Sequence, residues 1–282
     1  MMKRILGALA VLVAFTASPA AAAGLEQLSV YPSFQYFTWK EFDANGAQLL
    51  KEDGPLFGVG VAADIDLLNR ILYLRGKGEL FGGQVDYDGE TTDIDPQFDG
   101  LPVKSDVNYF GGKLESDFSL RFSGPRGNIE PFAGIGYRHW IRNIEASTTQ
   151  TRDVPPQGVR TAEATEEWLN LYTRLGMRGT YRLSDSASLS LEAGAKYPFL
   201  NRNFAEAFGE DITLKPRGEW SAFAELSARF GMFRPAVFYE GMRFDQSPTV
   251  VVLDPSRAVL VGIVQPRSEA DIFGFSLSFL FR

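Results

Sequence analysis

In "WLNLYTRLGMRGTYRL" (168–183), Asn170, Arg174, Arg178 and Arg182 share one face, while Leu169, Leu171, Leu175, Met177, Tyr181 and Leu183 share the other. The split recurs along the chain. Arg75, Lys77 and Glu79 oppose Leu72, Leu74 and Leu80, and Lys113, Glu115, Asp117 and Arg121 oppose Phe110, Leu114, Phe118, Leu120 and Phe122. Glu192 and Lys196 oppose Leu189, Leu191 and Tyr197, and Glu225 and Arg229 oppose Trp220, Leu226 and Phe230. Columns of interleaved sign are suited to charge-assisted pairing with one another. The single histidine, His139 in "YRHWIRN", would serve as a general base beside a carboxylate, but no Asp adjoins it and no Ser motif completes a His–Ser pair. In "DYDGETTDIDPQFD" (86–99), Asp86, Asp88, Glu90, Asp93, Asp95 and Asp99 offer the oxygens a hard cation wants. Gly89 is misplaced for an EF-hand loop, so a solvated, self-repelling loop is the reading preferred. No catalytic residue, metal site or cofactor is expected.

The elements that carry these columns alternate with a two-residue period, the signature of strands with one apolar face. Ten such stretches are read: 28–42, 55–68, 71–85, 107–122, 130–144, 168–183, 188–199, 219–230, 235–245 and 268–282. The stretch 130–144 is interrupted by glycines and its facing is ambiguous. Connections are short at 68–70, 123–128, 184–187 and 231–234, and long and polar near 43–54, 86–106, 145–166, 199–218 and 246–267. Short turns on one side and long loops on the other describe an up-and-down antiparallel barrel. In the last loop, "TVVVL" and "AVLVGIV" flank "DPSR" (254–257), which reads as a hairpin. Ten strands are therefore expected, with twelve or eight as alternatives.

The 282 residues are 45% hydrophobic, which excludes a disordered chain. Lys3 and Arg4, the apolar run Ile5 to Phe15 and the small-residue stretch "ASPAAAA" form a secretory signal with cleavage expected near Ala23. Residues 24–282 then form one domain. Without Lys3 and Arg4, 26 basic residues face 35 acidic ones, a balance near −9 that disfavours nucleic acid. With no cysteine there is no disulfide and no thiolate chemistry. No stretch is long and apolar enough for a membrane helix, but membrane strands leave a weaker signal.

Alternation alone does not say which face is outside. The apolar faces lack charge over a membrane's worth of length, the opposite faces carry both signs, and the last strand stays apolar to the penultimate residue. A strand tilted about 45° advances about 2.3 Å per residue along the membrane normal, so Phe273 to Phe281 covers about 18 Å and Asp271 lies about 23 Å from Phe281. That is close to the ~25 Å apolar band of membrane barrels. The apolar faces are expected to meet lipid and the charged columns to fill the lumen. Trp39, Trp140, Trp168 and Trp220, near strand ends, are expected in interfacial girdles.

With its leader, alternating strands, asymmetric connections and aromatic-terminated last strand, the chain resembles the bacterial outer-membrane β-barrel proteins. The resemblance implies a bacterial outer-membrane location and an insertion signal, matched here by Phe273, Phe275, Leu277, Phe279 and Phe281 before Arg282. It also implies the barrel-assembly machinery, membrane lipid and lipopolysaccharide as partners. Arg138 and Arg142, with Arg152 and Arg160, are read as a basic rim for lipopolysaccharide phosphates or as solvated loop charges. The expected function is structural, adhesive or interactive, carried by long external loops on a monomeric barrel of narrow or closed lumen. The apolar hairpin 249–264 is a candidate contact surface. Alternatives are a narrow porin-like channel, an omptin-like protease or lipid-A-modifying enzyme, and a soluble lipocalin-like carrier. An omptin-like site would need an Asp–His pair facing further carboxylates across the barrel mouth.

Overall fold

The computed structural model describes residues 24–281 except 92–94, 96, 154 and 257. The expected leader, its cleavage point, Asp93 and Arg282 lie outside the described residues. Ten long strands follow in order: β1 (Gly24–Phe42), β2 (Gln48–Leu68), β3 (Leu72–Glu90), β4 (Pro102–Leu120), β5 (Gly127–Ile144), β6 (Ala164–Arg182), β7 (Ala187–Ala207), β8 (Ser221–Phe230), β9 (Phe233–Asp245) and β10 (Arg267–Phe281). Each pairs antiparallel with its sequence neighbour, and β10 returns to pair with β1, Val30 opposite Phe279. The result is a closed ten-strand up-and-down barrel, with no helix among the described residues. The segments 250–254 and 259–263 pair only with each other, as a hairpin outside the wall.

The tight turns have local causes. Asn69 and Arg70 both take positive φ (43° and 63°), the conformation whose twist matches a two-residue hairpin. The Asp66 carboxylate accepts the Arg70 amide at 2.9 Å and holds that conformation.

Several strands run well past the segments legible as alternation. β3 has 19 residues, about 44 Å of height at ~2.3 Å per residue against an apolar band of ~25 Å. Its outward residues change character along that length: Leu72, Leu74 and Leu80 give way to Gln84, Asp86, Asp88 and Glu90. The belt begins at the short-turn edge, so the excess height projects on the long-loop side. Its members are bare: Phe34, Phe57, Val59, Phe110, Ile135, Leu191, Phe273 and Phe275 are all exposed. Only a bilayer makes such a ring stable.

Candidate functional site

Inside the barrel, charge is arranged in levels. Glu240 of β9 accepts Lys113 of β4 at 2.7 Å, Arg138 of β5 at 3.1 Å and Lys196 of β7 at 2.5 Å. Beside this set, Glu79 of β3 accepts Ser33 Oγ at 2.7 Å and Gln35 Nε2 at 2.5 Å, with Lys113 at 3.8 Å. Toward the short turns, Arg174 pairs with Glu115 and, at 2.9 Å, with Glu192. Arg178 reaches Glu192 at 2.7 Å and Glu130 at 3.2 Å. Arg75 holds Asp64 at 2.5 Å, Lys77 lies 3.6 Å from Glu225, and Arg121 binds Glu130 at 2.6 Å. Asp117 sits 3.5 Å from Arg174. Arg182 and Arg229 stand at the short-turn mouth, where Arg229 donates to the Gly231 carbonyl at 3.0 Å. A cavity of about 60 Å³ is the space left among the central pairs, room for a few waters.

Toward the long loops the lumen is apolar, which the sequence reading did not anticipate. Trp39, Trp140 and Trp168 do not form a girdle. They point inward and stack, Trp140 on Trp168 at 5.5 Å and 1° and Trp39 edge-on to Trp168 at 5.1 Å, with Phe244 at 5.5 Å from Trp168. Phe37, Leu56, Phe81, Tyr109, Met242 and Ile272 complete a buried layer across the barrel. Of the four tryptophans Trp220 alone is exposed, packed on Tyr197 at 5.3 Å.

Arg138 and Arg142 are not on a rim. Residues 130, 132, 138, 140 and 142 of β5 share the inward parity, and both arginines are buried, at 3% and 2% exposure. Arg142 is a hub above the tryptophans: it binds Glu52, reaches Glu166 at 2.9 Å and Glu41 at 3.6 Å. Trp39 Nε1 donates to Glu41 at 2.8 Å and Trp168 Nε1 to Glu166 at 2.9 Å, so the aromatic layer and the hub are bonded together. Burial pushes the Glu41 carboxyl up to about 7, against the attraction of Arg142.

On the outer surface a polar ring marks the top of the belt. Tyr36 donates to Asp53, Tyr239 donates to Asp271 at 2.7 Å, and Arg243 holds Asp271 at 2.6 Å. His139 belongs to this ring. Its Nε2 lies 2.9 Å from Glu167 Oε1, and its ring stacks on Tyr137 at 6.4 Å, so it faces away from the barrel mouth. Asp86 and Asp88 continue the ring upward on β3, Asp88 3.6 Å from Lys104. Arg152 donates to the Gly100 carbonyl at 2.7 Å and Arg160 lies in the small hairpin formed by 148–150 and 158–160. Phe273, Phe275, Leu277, Phe279 and Phe281 share the outward parity of β10.

No family model and no curated protein matches the chain. Among solved structures it is similar to the outer membrane protease OmpT from Escherichia coli, at 11% identity over 92% of this chain and 98% of that one, with a TM-score of 0.56. It also aligns with the translocator domain of the autotransporter NalP from Neisseria meningitidis, at 15% identity over 99% and 94%, with a TM-score of 0.47. The likeness is one of fold: the chain has the architecture of the bacterial outer-membrane β-barrels, and its bare apolar belt fits that membrane.

Proposed function

We propose that the chain is a membrane anchor with a filled lumen whose external end is a contact platform, a structural, adhesive or interaction role without catalysis. The observation that carries this reading is the stacking of two barriers in one lumen, the aromatic layer of Trp39, Trp140 and Trp168 above the Lys113–Glu240 level. The projecting strands supply the platform. The hairpin 250–254/259–263 packs Val252 onto Ile212 and Leu214, and leaves Val251, Leu253 and Leu260 bare on its other face. Exposed apolar faces of this kind mark partners. On this reading the outward row of β10 is the segment read by the barrel-assembly machinery, and lipopolysaccharide contact falls to outward cations of the polar ring such as Arg243.

Swelling of proteoliposomes in small sugars and amino acids tests the role. The platform reading expects swelling no faster than protein-free vesicles. Rapid swelling would make the chain a diffusion channel instead.

A further inference from the structure

The short-turn end of the barrel is not filled. A cup of about 380 Å³ opens there, walled by arginines and by hydroxyls that include Thr180, Ser188, Ser190 and Ser227. Its volume is in the range of small-molecule sites. Most charge lining it is spent within the wall. Asp64 is held by Arg75, Glu130 by Arg121 and Arg178, Glu192 by Arg174 and Arg178, Glu225 by Lys77, and Glu26 by Arg121.

Two guanidinium groups stand apart from this. Arg234, at the start of β9 opposite Ser278, lines both the cup and the small central cavity. Among the described residues it has no carboxylate within 4 Å and no hydrogen-bond partner, and neither does the Arg182 side chain nearer the mouth. The one lining carboxylate in the same condition is Asp185, in the exposed turn at the lip. Asp64 and Glu225 act on Arg234 only from beyond ion-pair contact, and both are already held by other cations. A half-buried guanidinium with no carboxylate in contact is poorly compensated, and its planar fork matches a phosphate oxygen pair. Hydroxyls around it supply the further donors a phosphate group accepts.

We propose that this cup binds a phosphate group, carried by a small solute or a lipid headgroup on the periplasmic side, with Arg234 as the deep cation and Arg182 at the mouth. The two guanidinium groups and the serine and threonine hydroxyls take the phosphate oxygens. The paired arginines keep their carboxylates and form the scaffold. The cup lies at the opposite end from the external platform, so each assignment stands or falls alone.

Isothermal titration of the full folded chain in neutral detergent at low salt tests the site with two probes, inorganic phosphate and short-chain phosphatidylglycerol below its micellar concentration. Saturable binding of either is expected, phosphate alone marking a solute site and the lipid alone a headgroup site. Arg234→Gln should weaken binding at least tenfold, Arg182→Gln a few-fold, and Arg152→Gln in the external loop not at all. If Arg234→Gln does not fold, judged by heat-modifiable gel mobility, Arg234→Lys and Arg182→Gln carry the test through their weaker binding. Absence of saturable binding to both probes, or binding equally strong in the folded variants, would overturn the proposal.

Discussion

Lys113 and Glu240 stand 127 residues apart in sequence and meet across the lumen at 2.7 Å. Glu240 is also the acceptor for Arg138 and Lys196, so one carboxylate is shared by cations from three other strands. All four side chains are buried, which makes the arrangement dependent on that carboxylate.

Glu240→Gln should therefore destabilise the barrel by about 3–5 kcal/mol, the usual cost of leaving buried charge without its partner. Urea unfolding in detergent, followed by tryptophan fluorescence, measures it. A loss below about 1 kcal/mol would mean that water reaches these groups and the level is not closed.

Leu175 and Ser190 test the facing of the wall. Leu175 is exposed in the middle of the β6 belt, and Leu175→Arg should cost about 2–4 kcal/mol against lipid. Ser190 lines the open cup, so Ser190→Arg finds both space and water. Refolding into vesicles under a urea series should show the first variant clearly weaker than the second. The reverse order would invert the barrel.

Glu41 gives the chain a pH signature. It is ringed by Trp39, Gln265, Arg142 and the carboxylates Glu52 and Glu166, and burial raises it from an ordinary 4.5 to about 7. The folded chain then keeps a proton that the unfolded chain has already lost between these values. Stability from this group is full below about pH 4.5 and falls away as pH rises to 7. Glu41→Gln should match the parent near pH 4 and exceed it at pH 8. A variant no more stable than the parent at pH 8 would contradict the assignment.

The absence of cysteine allows a clean test of orientation. Ser256→Cys, in the turn of the external hairpin, should react with a membrane-impermeant maleimide on intact cells. Ser186→Cys, in the short turn between β6 and β7, should react only after the cells are opened. Equal labelling of both would remove the external platform.

The barrel was legible where charge and apolar residues separate cleanly by parity, as in β6, whose Arg174 and Arg178 point inward while Leu175 and Met177 point outward. It was ambiguous in β5, because Arg138, Trp140 and Arg142 share one face and the binary pattern treats tryptophan and arginine as opposites. The inside of this barrel accepts both, aromatic toward the loops and ionic below. Strand length has a related cause: above the belt the outward residues of β3 turn polar (Asp86, Asp88) while the inward ones, Val85 and Tyr87, join the apolar layer, so the alternation changes sense while the ladder to β4 continues to Glu90 and Pro102. The phosphate cup left no sequence signal, since Arg234 looks like any other charge beside a turn. What sets it apart is that the nearby carboxylates Asp64 and Glu225 are in contact with Arg75 and Lys77 instead.

The most direct measurement of the central claim, a lumen closed across its width at two levels, is single-channel recording of the purified chain in planar bilayers. Two barriers in series, with about 60 Å³ of space among the central ion pairs, predict a flat baseline across ordinary voltages. Steady, uniform steps in the nanosiemens range would show that the lumen conducts and that its ion pairs line a pore.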